Sequence, residues 1–396
     1  MKFENVAIPA HLLWSSPFIR WQGQAADVSS LDLAVQVTRD ALAARAFDAA
    51  AEVDQLVLGS TVPQRQSFYA TPWVAARLGL QGVGGPLIAQ ACATAVACLA
   101  TAASACALSG GRSQLVVTAD RTSNGPLMVY PRSAGMGGSP STENWVLDSF
   151  AADPWTGESM VHTGEATARD GRFTREQCDD LTMLRFSQYQ QALRDDRAIQ
   201  KRYLQPIVVE QRKSRLVLDA DEGVSDYSAE GLAKLKPVLQ GGVLTPGAQT
   251  HPADGSAGAV LTSLENARRL TPAGAVVEIL SIGFARAEKG RMPKAPALAA
   301  ERALASAGIA MREVKTVTTH NPFAVNDLWF HHATGFPLEK MNPLGCSLIY
   351  GHPQAPTGLR AIVELVESLR QQGGGVGLFT GCAAGDMGAA LVLRVA

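Results

Sequence analysis

Four side chains suited to covalent or proton-transfer chemistry stand at the ends of expected elements: Cys92, His320, His352 and Cys382. Cys92 lies in the stretch IAQACATAVACLATAASACALSGG, just ahead of a helix built almost wholly of small residues. There the unpaired N–H groups and the dipole of a helix start lower a thiol's pKa. An ordinary cysteine ionises near 8.5 and is only roughly a few per cent thiolate at neutral pH. A free cysteine is also among the most buried residue types and packs as a small hydrophobe, so position alone does not choose between a reactive and a packed Cys92. Cys98 and Cys106, inside the helix, read as packing, and Cys178 and Cys346 read as structural.

The partners tip the balance. His352 lies in LIYGHPQAP, a Gly-His-Pro turn after an apolar segment, which is a loop position rather than a core one. His320 ends the strand pattern VKTVTTH and opens HNPF, whereas Cys382 ends VGLFTG and opens CAAGDMG. A thiol nucleophile, imidazoles to take its proton or hold a developing oxyanion, and a second thiol for a separate proton transfer form a coherent set. Nothing competes with it: the glycine clusters at 84–85, 137–138 and 373–375 lack the strand–helix context of a nucleotide loop and read as turns. His331 and His332 close an amphipathic helix as a solvated last turn.

The elements that must position these groups alternate. Periodicity predicts a helix over 31–44, a strand over 55–58, a loop through 72, the cysteine helix over 93–108 and a strand over 114–119. The last third repeats the grammar, with helices over 296–307, 323–332 and 357–371 and strands over 313–319, 375–380 and 389–395. Such alternation implies a parallel α/β sheet, and the repetition implies a duplicated fold. Ligands of open α/β sheets bind beyond the carboxyl ends of strands, so residues ending equivalent strands in the two halves should meet. The expected division is 1–120, completed by a returning strand near 243–264 after the Gly/Pro-rich GGVLTPGAQTHPADGSAG, then an inserted segment over 121–242, and a second half over 265–396. The insertion holds a Gly/Ser/Pro loop over 133–141, a charged helix over 175–197 and a basic stretch over 210–215.

Composition bounds the function. With 396 residues, 46% hydrophobic, the chain exceeds what one core usually supports. Lys plus Arg (35) nearly cancels Asp plus Glu (36), and no basic run with interleaved aromatics appears, which argues against nucleic acid or anionic lipid. Six scattered cysteines without a CxxC pair suggest reduced thiols in a cytoplasmic protein and no metal site. The amino terminus, interrupted by Glu4, Pro9 and Pro17, reads as neither signal peptide nor span, and no 18-residue apolar run is read elsewhere.

At these residues the sequence resembles the thiolase family, nearly from end to end. The landmarks are SSPFIRWQGQAADVSSLDLA, QACATAVACLATAASACALSGG, TADRTSNGP, TGEATARDGRFTREQCDDL, DEGVSDYSAEGLAKLKPVLQGG, HNPFAVND, YGHP and GCAAGDMG, in that order. The resemblance implies an α/β fold with a duplicated five-layer αβαβα core, a loop domain covering coenzyme A, and a homodimer, often paired into a tetramer. It implies Cys92 as the acyl-carrying nucleophile, His352 as the group that takes its proton and helps bind the thioester oxygen, and Cys382 as general acid/base. A second oxyanion hole would use the backbone N–H groups of Cys92 and Ala384, where relatives commonly have glycine; backbone donors tolerate the change. His320 stands where many thiolases have asparagine, which resembles the sterol-carrier-protein branch. Thr250 and Phe323 are assigned to the substrate wall, although Ala248-Gln249-Thr250 departs from the usual Asn-Ala-Ser near the coenzyme.

The implied reaction is acyl transfer on acyl-CoA thioesters through a Cys-bound intermediate, in the direction of thiolysis or of Claisen condensation. Coenzyme A and acyl-CoA are expected as substrates, with no tightly bound cofactor. Lys201, Arg202, Lys213 and Arg215 are candidate partners of the coenzyme's phosphates. Three other readings stay open: a ketosynthase-like condensing enzyme, against which Cys382 argues; an acyl-CoA-binding subunit needing a companion protein; and a purely structural scaffold.

Overall fold

Along the strand Val53–Gly59, Leu56 and Leu58 pack with one helix layer while Val57 packs with another. Side chains alternate across a strand, so consecutive apolar residues such as Leu56, Val57 and Leu58 must be buried on both faces. The same alternation recurs at the far end of the chain, where Leu391 and Leu393 face the central layer and Ala390 and Val392 face outward. Two such doubly covered sheets give five layers. The computed structural model describes all residues except 133–137, 211 and 273.

In the first sheet the order is Leu13–Ser15, Ala253–Leu261, Ser113–Arg121, Val53–Gly59 and Leu87–Ile88, with Ile19–Arg20 also pairing to Ala253–Leu261. In the second it is Ala7–Pro9, Val276–Arg286, Met387–Val395, Gly375–Ala383 and Val314–His320. Both sheets are mixed, which corrects the expectation of a parallel sheet. Val53–Gly59 runs parallel to its two neighbours and Val314–His320 to Gly375–Ala383, but the remaining pairs are antiparallel. The reason is local: only 384–386 join Gly375–Ala383 to Met387–Val395, too short for the crossover a parallel pair needs.

Helices Ser30–Ala44 and Ala70–Arg77 cover the outer face of the first sheet, and Ala295–Ala307 with Ala324–Thr334 cover that of the second. Between the sheets lie Thr94–Leu108 and Ala355–Gln371, one from each half. Small residues let them approach: a Cβ added at Gly358 would meet Ala95 Cβ at 3.1 Å and the Phe379 ring at 3.2 Å. The segment 91–108 is long and apolar enough to cross a bilayer, contrary to the sequence expectation, yet here it is mostly buried as the middle layer of the protein.

The segment between the adjacent strands Ser113–Arg121 and Ala253–Leu261 covers the carboxyl-end side of the core. Its helix Arg175–Ala192 starts in a Thr174/Gln177 capping box and ends earlier than expected, because Asp195 and Asp196 turn left-handed at φ 53°. Two fully buried ion pairs tie it down: Arg185 to Asp327 at 2.8 Å, and Arg360 to Asp221. The loop read over 133–141 and the 137–138 turn lie in part outside the described residues, as does position 211 of the basic stretch.

Candidate active site

Cys92 sits in a tight turn between the edge strand Leu87–Ile88 and the central helix. Ala91 is left-handed, at φ 44°, an uncommon conformation for a residue with a Cβ. Thr94 holds the turn, its Oγ1 accepting from the Gln90 N–H at 2.8 Å and donating to the Ala91 carbonyl at 2.6 Å. Gly59 ends the neighbouring strand, where a Cβ would lie 2.8 Å from both Cys98 Sγ and Thr94 Cγ2; its bareness lets the helix start seat against the sheet.

The Cys92 Sγ lies 3.0 Å from His352 Nε2, and His352 Nδ1 lies 2.7 Å from Thr357 Oγ1 in the first turn of the partner helix. His352 is in a loop, as its Gly-His-Pro context suggests, but it is buried. The backbone fixes it further: its N–H donates to the His251 carbonyl at 2.9 Å. Asp120, ending a strand of the first half, accepts from the N–H and O–H groups of Thr61 and from the Ala355 N–H, joining the two halves beside the thiol.

His320 stacks on His352 with ring centroids 4.0 Å apart and 28° between planes. Its Nδ1 lies 2.9 Å from Ser347 Oγ, while its Nε2 is buried without a hydrogen-bond partner. A buried polar atom without a partner is uncommon in a native interior, and this one lies beside the Cys92–His352 pair. A ligand atom of each of Cys92, His320 and His352 lies within 4.8 Å of the others. Near-parallel stacking, however, sets the two rings' lone pairs side by side rather than aiming them at one point, which disfavours a shared metal. Cys382, also buried, accepts from Asn326 Nδ2 at 3.2 Å, and Asn326 Oδ1 in turn accepts from the Phe323 N–H at the start of its helix.

Electrostatics here reverse one expectation. Burial pushes the Cys92 thiol up to about 12, despite the opposing pull of the Ala384 N–H and its own N–H, and the Asp120 carboxylate adds to the rise. A helix start could not prevent this, because the N–H groups of Ala93 and Thr94 are spent on the carbonyls of Gln90 and Ala91 within the turn. Burial, the His320 ring and the His251 ring hold His352 well below the usual imidazole range, and burial lowers His320 to about 3. Burial likewise drives Cys382 well above the ordinary thiol range, helped by nearby Cys92. At neutral pH the four groups are uncharged.

Above Cys92 opens a cavity of about 550 Å³ whose walls include Trp145, Phe150, Met160, Met292, Thr250 and Phe323, with His352 and Ala384 beside the thiol. His320 and Cys382 are not among the lining residues, although Cys382 lies close enough to Cys92 for the two thiols' ionisations to oppose one another. Thr250 is fixed by its N–H to the Pro322 carbonyl at 2.8 Å. The four basic residues offered as phosphate partners are not at this cavity: Lys201 and Arg202 line a separate cleft, and Lys213 and Arg215 lie on an exposed hairpin. Missed in sequence were Thr357, Asn326, Ser347 and Asp120, polar residues whose only mark is a position just inside or just past an element.

Residues 14–265 match the family model described as Thiolase, N-terminal domain, and residues 272–395 match Thiolase, C-terminal domain. Among curated relatives, the 3-ketoacyl-CoA thiolase of Pseudoalteromonas translucida (strain TAC 125) is 29% identical over 449 residues, covering 100% of this chain and 98% of its own. The acetyl-CoA acetyltransferase of Synechocystis sp. is 26% identical over 391 residues, covering 96% and 97%. Among solved structures, the Bacillus anthracis acetyl-CoA acetyltransferase superposes with TM-score 0.91 at 24% identity over 100% of both chains. Human mitochondrial 3-ketoacyl-CoA thiolase in complex with CoA does so with TM-score 0.89 at 22% identity, covering 99% and 98%. At those identities the structural likeness speaks for the αβαβα fold.

Proposed function

The chain belongs to the thiolase family, and from that premise we propose that it transfers acyl groups between acyl-CoA thioesters and coenzyme A with Cys92 as the acyl carrier. The observation that carries the assignment is the 3.0 Å approach of Cys92 Sγ to His352 Nε2 at the floor of a 550 Å³ cavity.

In this reading both partners favour their neutral forms, so the thiol proton crosses to Nε2 as sulfur bonds to the thioester carbon. Nδ1 must then carry the ring's other proton, with Thr357 Oγ1 accepting it. Once protonated, Nε2–H becomes a donor to the substrate oxygen, and His320 donates to the same oxyanion in the tautomer with its proton on Nε2, Nδ1 then accepting from the Ser347 hydroxyl. The N–H groups of Cys92 and Ala384 hold the carbonyl oxygen of the acyl-enzyme. Cys382, held by Asn326, gives its proton to the departing carbon in thiolysis and regains one from the incoming coenzyme A thiol; condensation runs the same two transfers in reverse, the Cys382 proton going to the leaving coenzyme A sulfur before the thiolate removes one from the arriving acyl-CoA.

The apolar walls would take the acyl chain and pantetheine arm, with Thr250 and Phe323 among their contacts. Coenzyme A is then substrate rather than resident cofactor, and the complex of the human relative with CoA supports that use of the fold. A homodimer or tetramer in the cytoplasm completes the reading, all six cysteines being unpaired thiols.

The test is coenzyme A-dependent cleavage across short, branched, long and aromatic 3-oxoacyl thioesters, read beside intact-protein mass. Cys92→Ala should lose both turnover and the acyl mass shift while keeping its fold. Cys382→Ala should still acquire the acyl group from a simple acyl-CoA but cleave no 3-oxoacyl thioester. Acylation of the Cys92→Ala protein would end the assignment.

A further inference from the structure

A second cavity of about 410 Å³ lies where the two halves and the inserted segment converge, and it shares no lining residue with the cavity over Cys92. Four cationic side chains reach it: Arg45 from the end of Ser30–Ala44, Lys201 and Arg202 from Gln200–Tyr203, and Arg370 from Ala355–Gln371. Glu367 is the single acid in the lining. That carboxylate is shared between Arg370 and Arg202, the latter at 3.6 Å. Lys201 pairs with Asp196 outside the cleft.

Arg45 is the informative residue. Its guanidinium donates to the carbonyls of His11 at 2.7 Å and Ala41 at 3.0 Å, and among the described residues it has no carboxylate partner. A half-buried guanidinium, held in place by backbone carbonyls and lacking a counter-ion, is poised for an anion. The ring of His11 in the same cleft is depressed by burial and by the charges of Arg45 and Arg370, as expected where positive potential accumulates. Leu13 and Leu204 give the cleft an apolar wall beside the charges.

We infer that this cleft binds a small molecule carrying adjacent phosphoryl groups, with Arg45, Lys201, Arg202 and Arg370 as its cationic partners. Phosphoryl oxygens match both the planar forks of three arginines and the point charge of a lysine. The cleft's volume of about 410 Å³ suits a metabolite rather than a polypeptide, and the apolar wall would accept a heterocycle. The inference stands apart from the acyl-transfer reading.

The experiment is isothermal titration of the whole protein at low ionic strength with pyrophosphate, magnesium-free ATP and adenosine. Pyrophosphate and ATP should bind once per chain, and adenosine should not. Affinity in Arg45→Gln/Arg370→Gln should fall at least roughly tenfold, as loss of two charge-assisted bonds requires, while KM for acyl-CoA stays unchanged. Should that variant fold poorly, Glu367→Gln reads the same point in the opposite sense, because removing the only acid should tighten binding. ATP binding more tightly than pyrophosphate assigns the site to nucleotides; equal affinities assign it to inorganic polyphosphate. Absence of binding by both phosphate probes, unchanged affinity in the variants, or binding of an acidic peptide where neither phosphate binds would overturn the inference.

Discussion

Replacing Thr357 by valine preserves the shape of a fully buried side chain and removes one oxygen, the one 2.7 Å from His352 Nδ1. In the proposed mechanism that oxygen accepts the Nδ1 proton and so leaves the Nε2 lone pair facing the Cys92 thiol. Without it, the imidazole either keeps an unpaired N–H in the interior or moves its proton to Nε2, where it cannot take another. Leaving a buried donor unsatisfied costs about 1–3 kcal/mol. At ~1.4 kcal/mol per factor of ten, kcat/KM for thiolysis should fall roughly 5- to 150-fold. Acyl-enzyme formation, followed by rapid-quench mass spectrometry, should slow by the same factor, since the lost step is proton removal from sulfur. Thr357→Ser restores the oxygen and should recover most of the rate despite its missing methyl. Full activity in the valine variant, or equal losses in valine and serine variants with matched denaturation midpoints, would refute the tautomer argument.

Alkylation of Cys92 by iodoacetamide should accelerate about tenfold per pH unit from 7 to 10 without levelling, because burial holds the thiol near 12; a plateau below pH 9 contradicts that. His320, lowered by burial to about 3 from the ordinary imidazole value near 6.5, binds a proton more readily when unfolded, so its contribution to stability is present above pH 6.5 and is lost as pH falls toward 3. His320→Asn should therefore remove about 2 kcal/mol of the stability lost between roughly pH 6.5 and 4.5, measured by urea denaturation at both values. Asn326→Ala should suppress exchange of the acyl-CoA α-proton with solvent by more than tenfold while leaving acylation of Cys92 within about threefold, since only Cys382 loses a donor. Equal losses in both assays would place Asn326 in the packing rather than the proton transfer.

What could be read from sequence was whatever a short window contains. The alternation of apolar residues, the sulfur before a small-residue helix and the polar residues just past strand ends at 320 and 382 are local signals, and the structure brings those positions together. Strand direction was legible too but overlooked: three residues between Ala383 and Met387 exclude a parallel pair. The sign of the Cys92 shift was not legible, because it depends on how much surrounds the sulfur and on which carbonyls claim the nearby N–H groups. Nor were the supports. Asp120 meets Ala355 across 235 positions and Thr61 across 59, and nothing in either neighbourhood announces the other.

The two central helices touch where Ala95 meets Gly358, a few residues from Cys92 on one and beside Thr357 on the other. A molecule assembled from twin modules ordinarily has a seam along which it could be parted with each piece intact. Here the seam is the innermost sheet of side chains, and the reacting atoms lie at its end. Neither twin can retain half the chemistry, and an added methyl group anywhere along that contact should be felt at the sulfur as misalignment before it is felt as unfolding.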